Sequence, residues 1–180
     1  MTGQIIFMRK VGTYLIITVC LVVVIGFLLP ETLIVPVKGA SKSDWNPKAF
    51  GYHPWGKSGV HKGIDIFARE GVPVIAASSG LIVDAGQNPD GGNVISILGP
   101  KWRIHYYAHL KSLKVKTGDT VSQGMQIGTV GSTGNAVGKA PHLHYSIITQ
   151  VPYFWLYKND KFGIDRMFYL NPDERLRDNS

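Results

Sequence analysis

Two histidines lie one residue apart in the segment APHLHYSI, whose neighbouring residues favour a β-strand. In a strand, side chains two positions apart point to the same face and lie roughly 7 Å apart. His142 and His144 are therefore expected to face one side of a sheet, with Leu143 on the other. Spacing alone allows three interpretations: two ligands of one metal, a ligand beside a catalytic base, or two unrelated polar residues.

A histidine and a carboxylate occur four residues apart in HKGID, which contains His61 and Asp65. On a fully extended chain the two would be about 13 Å apart, so the backbone must curl if both are to bind one ion. Gly63 lies between them and permits such a bend. A third ligand from a distant strand would leave one tetrahedral position for water, as in a catalytic zinc site.

These motifs follow one another along the chain as HKGID, then YAHL, then PHLH. With FGYHP, GGNVISI and VKTGDTVSQGMQIGTVGSTGNAVGKAPHLHY, they resemble the lysostaphin/LytM-type zinc metalloendopeptidases of bacterial cell walls over residues 50–148. The resemblance implies one zinc ion per chain, whose ligands are His61, Asp65 and His144. It also implies that His109 and His142 stay off the metal and assist catalysis.

The chemistry that the resemblance implies is hydrolysis of peptide bonds in peptidoglycan. Zinc lowers the pKa of a bound water and polarises the scissile carbonyl. The two assisting histidines orient or deprotonate that water, stabilise the oxyanion and protonate the leaving amine. The remaining histidines, His53 and His105, are interpreted as ordinary polar residues of the fold.

Two positions need separate treatment within this resemblance. Ser146 follows HLHY where an acidic residue is common in the family, so a contact that supports the ligands is expected to be missing. Tyr52, nine residues before His61, lies near the place where some members carry a tyrosine that stabilises the transition state. Plain packing at the rim of the site is the alternative interpretation for Tyr52.

The elements that must position these residues are predicted to be strands. From Ala49 onward, short β-branched and apolar runs alternate with glycine-bearing turns, and helical periodicity is nearly absent. This pattern predicts an all-β domain over residues 49–180, an antiparallel sandwich or barrel. The stretch VKTGDTVSQGMQIGTVGSTG also resembles hairpins of biotin and lipoyl carriers, but the lysine that such carriers modify is absent.

An apolar segment precedes this domain. Residues 11–30 contain no charge and have about the length of a helix that crosses a bilayer core. Because Arg9 and Lys10 precede the segment, the positive-inside rule places residues 1–10 in the cytoplasm. We expect an uncleaved, single-pass inner-membrane anchor with the domain in the periplasm. The alternative, a cleaved signal peptide, has only KGA at residues 38–40 as a cleavage site, with lysine where a small residue belongs.

Residues 31–48 contain two prolines and mixed charges and are predicted to form a linker. Fully extended, such a tether spans at most roughly 60 Å, so the domain would work close to the membrane. An anchored enzyme of this reach suits a thin wall. The family resemblance then implies cleavage of cross-links between D-alanine and meso-diaminopimelate, not of glycine bridges.

Composition limits the other functional classes. The net charge is +7, and the basic residues are scattered, which suits an anionic cell envelope and gives no reason to expect a nucleic-acid partner. The one cysteine, Cys20, lies in the apolar segment, so the domain has no disulfide. The main functional alternative is a non-catalytic relative that binds or activates a wall amidase. Such relatives typically lose zinc ligands, whereas this sequence retains all three.

Overall fold

The computed structural model describes residues 2–56 and 59–177, and for residues 2–9 it describes the backbone alone. A long apolar N-terminal helix leads into a domain built on an antiparallel β-sheet, and these two features of the expected fold are confirmed. Met1, which belongs to the predicted cytoplasmic segment 1–10, lies outside the described residues.

Helix α1 (Thr2–Leu28) is longer than the predicted segment 11–30 at its N-terminal end and shorter at its C-terminal end. It ends before Pro30 because the residue that precedes a proline is disfavoured in the α conformation. The part from Lys10 to Leu28 has a mean hydropathy of 2.7 and is long and apolar enough to cross a membrane. Length and composition fit an anchor and an export signal equally well.

The strands and the second helix follow in a regular order. They are β1 (Ile64–Phe67), β2 (Pro73–Ile75), β3 (Gly80–Asn88), β4 (Gly92–Leu98), β5 (Arg103–Leu113), β6 (Thr120–Val121), β7 (Gln126–Val130), β8 (His142–Thr149), β9 (Tyr169–Leu170) and α2 (Pro172–Arg177). Short 3₁₀ turns lie at Lys42–Asp44, Pro100–Trp102, Gly134–Ala136, Phe154–Leu156 and Gly163–Met167.

The strands pair in the order β1-β8-β5-β4-β3-β6, and every pairing is antiparallel. Strand β7 pairs with both β5 and β2. Strand β9 pairs with Ile147 and Ile148 of β8, beyond the residues of β8 that pair with β1. The buried core is built mainly from isoleucine, leucine, valine and tyrosine side chains of these strands. Strand β8 therefore lies between β1 and β5 at the centre of the region that carries the histidines.

Alternation along β8 sorts its side chains onto two faces. Leu143, Tyr145 and Ile147 are fully buried in the core. His142 and His144 line a cavity on the opposite face. The prediction that the two histidines share a face, with Leu143 turned away, is confirmed. The cause is the two-residue period of an extended strand, one face of which packs on a core.

The predicted linker is part of the domain. Leu33, Val37 and Trp45 lie in the hydrophobic core, and Trp45 donates a 2.8 Å hydrogen bond from Nε1 to Asp173. Val37 also pairs with Val74 at the edge of β2. The tether expected over residues 31–48 is therefore wrong as a description of this segment. Its apolar residues bury surface that the short strands alone would leave exposed. The domain also lies directly against the end of α1, because Trp102 and Lys101 donate hydrogen bonds to carbonyl oxygens of the helix.

Candidate metal centre

Three side chains bring one donor atom each to a common point. The Nδ1 atom of His144 lies 2.8 Å from Oδ1 of Asp65, and Nε2 of His61 lies 3.1 Å from the same oxygen. The two histidine nitrogens are 3.0 Å apart. These three residues are the ligands that the family resemblance implied, and together they form a group able to hold a metal ion.

The pairing of strands positions two of the three ligands, Asp65 and His144. Asp65 on β1 lies directly opposite His144 on β8, and Ala108 on β5 lies opposite His144 on the other side. Both ligands face the cavity because each is followed and preceded by core residues on its own strand, such as Ile64 and Ile66. The sheet therefore fixes the Asp65–His144 pair before any ion binds.

His61 reaches the group from the loop before β1, with its ring stacked on Trp55 at a centroid distance of 4.1 Å. Gly63 is required here by close approach. A Cβ at this position would lie 2.9 Å from Cε1 of His144 and 2.5 Å from Oγ of Ser146, and nearer still to the carbonyl oxygen of Tyr145. The sequence suggested that Gly63 allows a bend, whereas the structure adds that the glycine lets the loop pass over β8.

In His61 and His144, the ring nitrogen that points away from the three-donor group has a partner that orients the ring. Nδ1 of His61 donates to the carbonyl oxygen of Ala49 at 3.1 Å, which leaves the lone pair of Nε2 directed at the group. Nε2 of His144 lies 2.9 Å from the hydroxyl of Ser146. The contact expected to be missing at Ser146 is therefore present, with a hydroxyl as the partner.

The donor set suits zinc. Two imidazole nitrogens and a carboxylate are typical ligands of a catalytic zinc ion, which keeps its fourth position open. A carboxylate and two nitrogen lone pairs directed at one point repel one another unless a cation or a proton lies between them. The far-side hydrogen bonds of both rings hold that arrangement in place, as ligand histidines in metal sites require.

Burial and the mutual contacts shift the acid–base behaviour of the ligands. Burial alone would raise the pKa of Asp65, but its hydrogen bonds to His144 and His61 outweigh this, and the pKa lies far below its usual value. Burial lowers the pKa of the His144 imidazole, which the Asp65 carboxylate only partly opposes. Both groups are therefore in the deprotonated forms that bind a metal.

Two more histidines lie next to this group. The rings of His109 and His142 meet edge-on at a centroid distance of 5.0 Å, and the His109 ring is 6.0 Å from that of His144. Nδ1 of His109 donates to the carbonyl oxygen of Thr133 at 3.0 Å, and Nδ1 of His142 donates to that of Ala140 at 2.8 Å. In both rings Nε2 is then the nitrogen with the free lone pair.

A β-bulge turns His109 toward the cavity. Register between β4 and β5 shifts so that Ala108 and His109 together lie opposite the single residue Val94. His109 adopts a positive φ of 64°, and its backbone N–H donates to the carbonyl oxygen of Gly91 at 2.7 Å. Strict alternation would have placed His109 in the core beside Tyr107. The bulge places both Ala108 and His109 on the cavity side.

Burial, together with the neighbouring His144 and His142, lowers the pKa of His109 to about 4, and the hydrogen bond to Thr133 and the Asp65 carboxylate oppose this only in part. The imidazole is therefore neutral near pH 7. A neutral ring whose Nδ1 is already a donor presents Nε2 as a proton acceptor.

The metal-ligand group and the two further histidines line one cavity of about 840 Å³. Its walls also include residues that were not selected from the sequence, among them Trp55, Tyr106 and Tyr169. Tyr106 lies edge-on to His144 at 6.4 Å, and burial raises the pKa of its phenol. Alternation along β5 could have indicated Tyr106, because it shares a face with Ala108.

The other residues considered from the sequence lie elsewhere. Tyr52 does not line the cavity; its exposed ring contacts Trp55 edge-on at 6.1 Å. His105 is buried in the core with Nδ1 2.8 Å from the hydroxyl of Tyr145. His53 is exposed and outside the cavity. The structure thus brings together five of the six residues predicted for the site and leaves Tyr52 at its edge.

Comparison with known proteins gives matches over the same region. The model of Peptidase family M23 matches residues 59–154. The peptidoglycan DD-endopeptidase ShyC of Vibrio cholerae is 39% identical over 107 residues, which are 59% of this chain and 24% of that protein. The chain spans less than a third of the length of the first curated relatives that it matches.

Solved structures agree with this match. The catalytic domain of the antimicrobial peptidase lysostaphin from Staphylococcus simulans aligns with a TM-score of 0.59 at 34% identity, covering 72% of this chain and 89% of that one. A zinc-containing peptidase from Vibrio cholerae aligns with a TM-score of 0.53 at 30% identity, covering 65% and 36% of the two chains. Residues 59–154, matched by the family model, contain all three ligand residues and both further histidines.

Proposed function

The chain belongs to peptidase family M23, and we propose that it is a zinc-dependent endopeptidase that hydrolyses peptide cross-links of bacterial peptidoglycan. The observation that carries the proposal is the convergence of His61, Asp65 and His144 beside His109 and His142 in one cavity. The names of its relatives support the substrate class, since ShyC is a peptidoglycan DD-endopeptidase.

His61, Asp65 and His144 would hold the zinc ion. When bound, zinc lowers the pKa of a coordinated water toward neutrality and polarises the scissile carbonyl. Asp65 contributes the one negative charge of the ligand set, and Ser146 and the carbonyl of Ala49 keep the two imidazoles oriented toward the ion.

His109 and His142 would handle the protons. The neutral Nε2 of His109 accepts the proton of the attacking water. A ring protonated at Nε2 then donates a hydrogen bond to the oxyanion of the tetrahedral intermediate. The proton taken from the water is finally transferred to the leaving amine. The backbone carbonyls of Thr133 and Ala140 fix both rings through Nδ1, so that each Nε2 stays available for the substrate. We assign no step to Tyr52, because its ring lies outside the cavity.

A non-catalytic regulator of a wall amidase is the function that this proposal replaces. A regulator needs no proton acceptor beside a metal-ligand group and no backbone carbonyls that fix the tautomers of His61, His109 and His142. A neutral histidine with a free Nε2 beside a three-donor metal-ligand group is what metal-assisted hydrolysis requires, which favours the enzyme.

The test is digestion of purified sacculi by the full chain in detergent. Release of soluble muropeptides that a chelator abolishes and added zinc restores is the expected result. His61→Ala should contain less than one zinc per chain and lose activity, whereas the His53→Ala control should keep both. Full zinc occupancy of His61→Ala, or hydrolysis that resists the chelator, would contradict the proposal.

We also infer that α1 remains attached and anchors the domain in the inner membrane with the cavity on the periplasmic side. Support comes from the core: cleavage near Ser41 would remove Leu33 and Val37 from the buried cluster and Glu31 from its ion pair with Arg103. Mass spectrometry of the protein from membranes should find the intact N-terminal segment. A mature chain that begins near residue 41 would overturn the anchor.

The bond that we propose is cleaved joins D-alanine to meso-diaminopimelate. With the domain held against the end of α1, cleavage would occur in wall close to the membrane, which suits the thin wall of a Gram-negative periplasm. The test is to digest sacculi with direct cross-links and sacculi with glycine bridges, and to identify the new termini by mass spectrometry. The termini show whether the direct cross-link or the glycine bridge is cleaved. Exclusive release of glycine termini would contradict this assignment.

A further inference from the structure

The end of the sheet where β5 begins contacts helix α1 directly. Trp102 donates a 2.9 Å hydrogen bond from Nε1 to the carbonyl oxygen of Val23, and Nζ of Lys101 donates to that of Phe27 at 3.3 Å. The indole fills the space that a Cβ at Gly26 would occupy. Lys101 and Trp102 both adopt positive φ values, of 59° and 55°. This unfavourable turn conformation is maintained where the domain contacts the helix.

A segment rich in aromatic residues begins beside this contact. Thr149 at the end of β8 pairs with Arg103 at the start of β5, so residues 151–157 leave the sheet next to Trp102. Tyr153 lies 3.2 Å from Nη2 of Arg103 through its hydroxyl, and Arg103 pairs with Glu31, three residues beyond the end of α1. We call residues 151–157 the aromatic segment.

The aromatic segment presents apolar rings to the surroundings. Phe154 and Trp155 are 69% and 76% exposed, and Val151 and Tyr157 are exposed beside them. Trp155 stacks on Tyr153 at a centroid distance of 4.9 Å, which holds its ring outward from the domain. Contiguous exposed apolar side chains of this size cost free energy in water and mark an interaction surface.

The charges near the segment are mainly basic. Lys158 and Lys161 are exposed, whereas the carboxylate of Asp160 pairs with Arg166 at 2.5 Å. Tryptophan and tyrosine concentrate at the headgroup level of membranes, and lysines next to them are attracted to anionic lipids. A bilayer entered by α1 at this end of the domain would meet both features.

We propose that the aromatic segment lies in the headgroup region of the same membrane that α1 spans, as a second contact that fixes the orientation of the domain. This inference rests on the membrane anchor proposed above. Because β8 runs from the aromatic segment to the ligands, His144 lies about 17 Å along the strand from Thr149. The second contact would hold the cavity at a set height and stop the domain from swinging about the end of α1.

Lipid quenching of a fluorescent label tests the proposal on the full chain in anionic liposomes. In a Cys20→Ser background, the label is placed by Val151→Cys, by Leu29→Cys just beyond α1, or by Val137→Cys. Val137 is 74% exposed and lies in the loop before β8, at the cavity end of the domain. Nitroxide-bearing lipids should quench the label at residues 151 and 29 and leave the label at residue 137 unaffected.

A second variant isolates the rings. Phe154→Ser with Trp155→Ser changes only exposed side chains and should abolish the quenching at residue 151 while leaving that at residue 29 intact. Unchanged quenching at residue 151 in this variant would overturn the role of the rings.

Quenching at residue 29 without quenching at residue 151 would overturn the second contact as a whole. If the label at residue 151 then responded to added peptidoglycan fragments, the segment would be a glycan surface instead. Loss of quenching at both residues would refute the anchor itself. The proposed hydrolase function is tested independently, by digestion of sacculi.

Discussion

Asp65 and His144 face each other across adjacent antiparallel strands, with Oδ1 2.8 Å from Nδ1. The metal-ligand group thus depends on the register of β1 and β8. A slip of one residue would present Leu143 or Tyr145 at the cavity and move His144 into the core. Burial of those two neighbours therefore protects the geometry of the candidate centre.

Ser146→Ala tests the hydrogen bond that orients His144. Loss of the hydroxyl 2.9 Å from Nε2 should weaken zinc binding by roughly tenfold, the lower end of the usual effect of outer partners of ligand histidines. Competition with a chromophoric chelator measures the affinity. Ser112→Ala is a matched control, because its hydroxyl bonds Thr129 away from the cavity. An unchanged zinc affinity in Ser146→Ala would show that Ser146 does not support the ligand.

His109→Ala and His142→Ala should each lower kcat/KM by at least about a hundredfold, the usual scale of general acid–base assistance. Both variants should retain one zinc and an unchanged Tm, because neither ring belongs to the three-donor group. Muropeptide release and metal analysis on the same preparations give the two readouts. Loss of zinc from His142→Ala would reassign that histidine as a ligand.

Gly63→Ala should impair folding and metal binding together. The added methyl group would lie 2.9 Å from Cε1 of His144 and closer to the backbone of β8, so the loop that carries His61 must move. Overpacking of this kind typically costs about 1–3 kcal/mol. Thermal unfolding and zinc titration measure the effect. Gly86→Ala in β3 is the control, since its nearest neighbour would lie at 3.8 Å. Equal behaviour of the two variants would refute the close approach.

Glu31 predicts a specific pH dependence of stability. Burial alone would raise the pKa of this carboxyl, but His105 and the Arg103 guanidinium outweigh it, so the folded pKa lies below the ordinary 4.5. The folded chain therefore binds fewer protons than the unfolded chain as the pH falls through this range. The stabilisation is complete above pH 4.5 and is lost as the pH falls through the folded pKa.

Glu31→Gln should therefore lower the free energy of unfolding by about 3 kcal/mol at pH 7, since a buried charge loses its partner. The difference from the wild type should shrink as the pH falls below 4.5. Unfolding of the full chain in detergent at a series of pH values measures it. Glu70→Gln breaks an exposed pair with Lys111 and should change stability by at most about 1 kcal/mol. A Glu31→Gln effect that does not vary with pH would contradict the titration.

Local patterns in the sequence determined much of the candidate centre. The two-residue period of a strand placed His142 and His144 on one face, because alternation is a property of the extended backbone itself. The apolar run that ends near Pro30 similarly determined a long helix, since it contains no charge and no earlier proline. The resemblance in HKGID, YAHL and PHLH supplied the ligand set, which the periodicity alone left open.

Other features depend on contacts between distant segments. His109 faces the cavity only because the pairing of β5 with β4 contains a bulge, and no local pattern encodes which strand becomes its partner. The contact of Ser146 with His144 and the need for a glycine at position 63 arise where the loop before β1 crosses β8.

Residues 31–48 give the clearest difference between sequence and structure. Their prolines, small residues and mixed charges are typical of a linker, because composition reports what a segment could do on its own. Leu33, Val37 and Trp45 are nevertheless buried, since the short strands of the domain leave apolar surface that only this segment covers. The amino-acid sequence by itself thus determined which side chains alternate and which could bind metal. Tertiary packing decided which segments belong to the core and which histidines meet, because burial is shared between residues far apart in the chain.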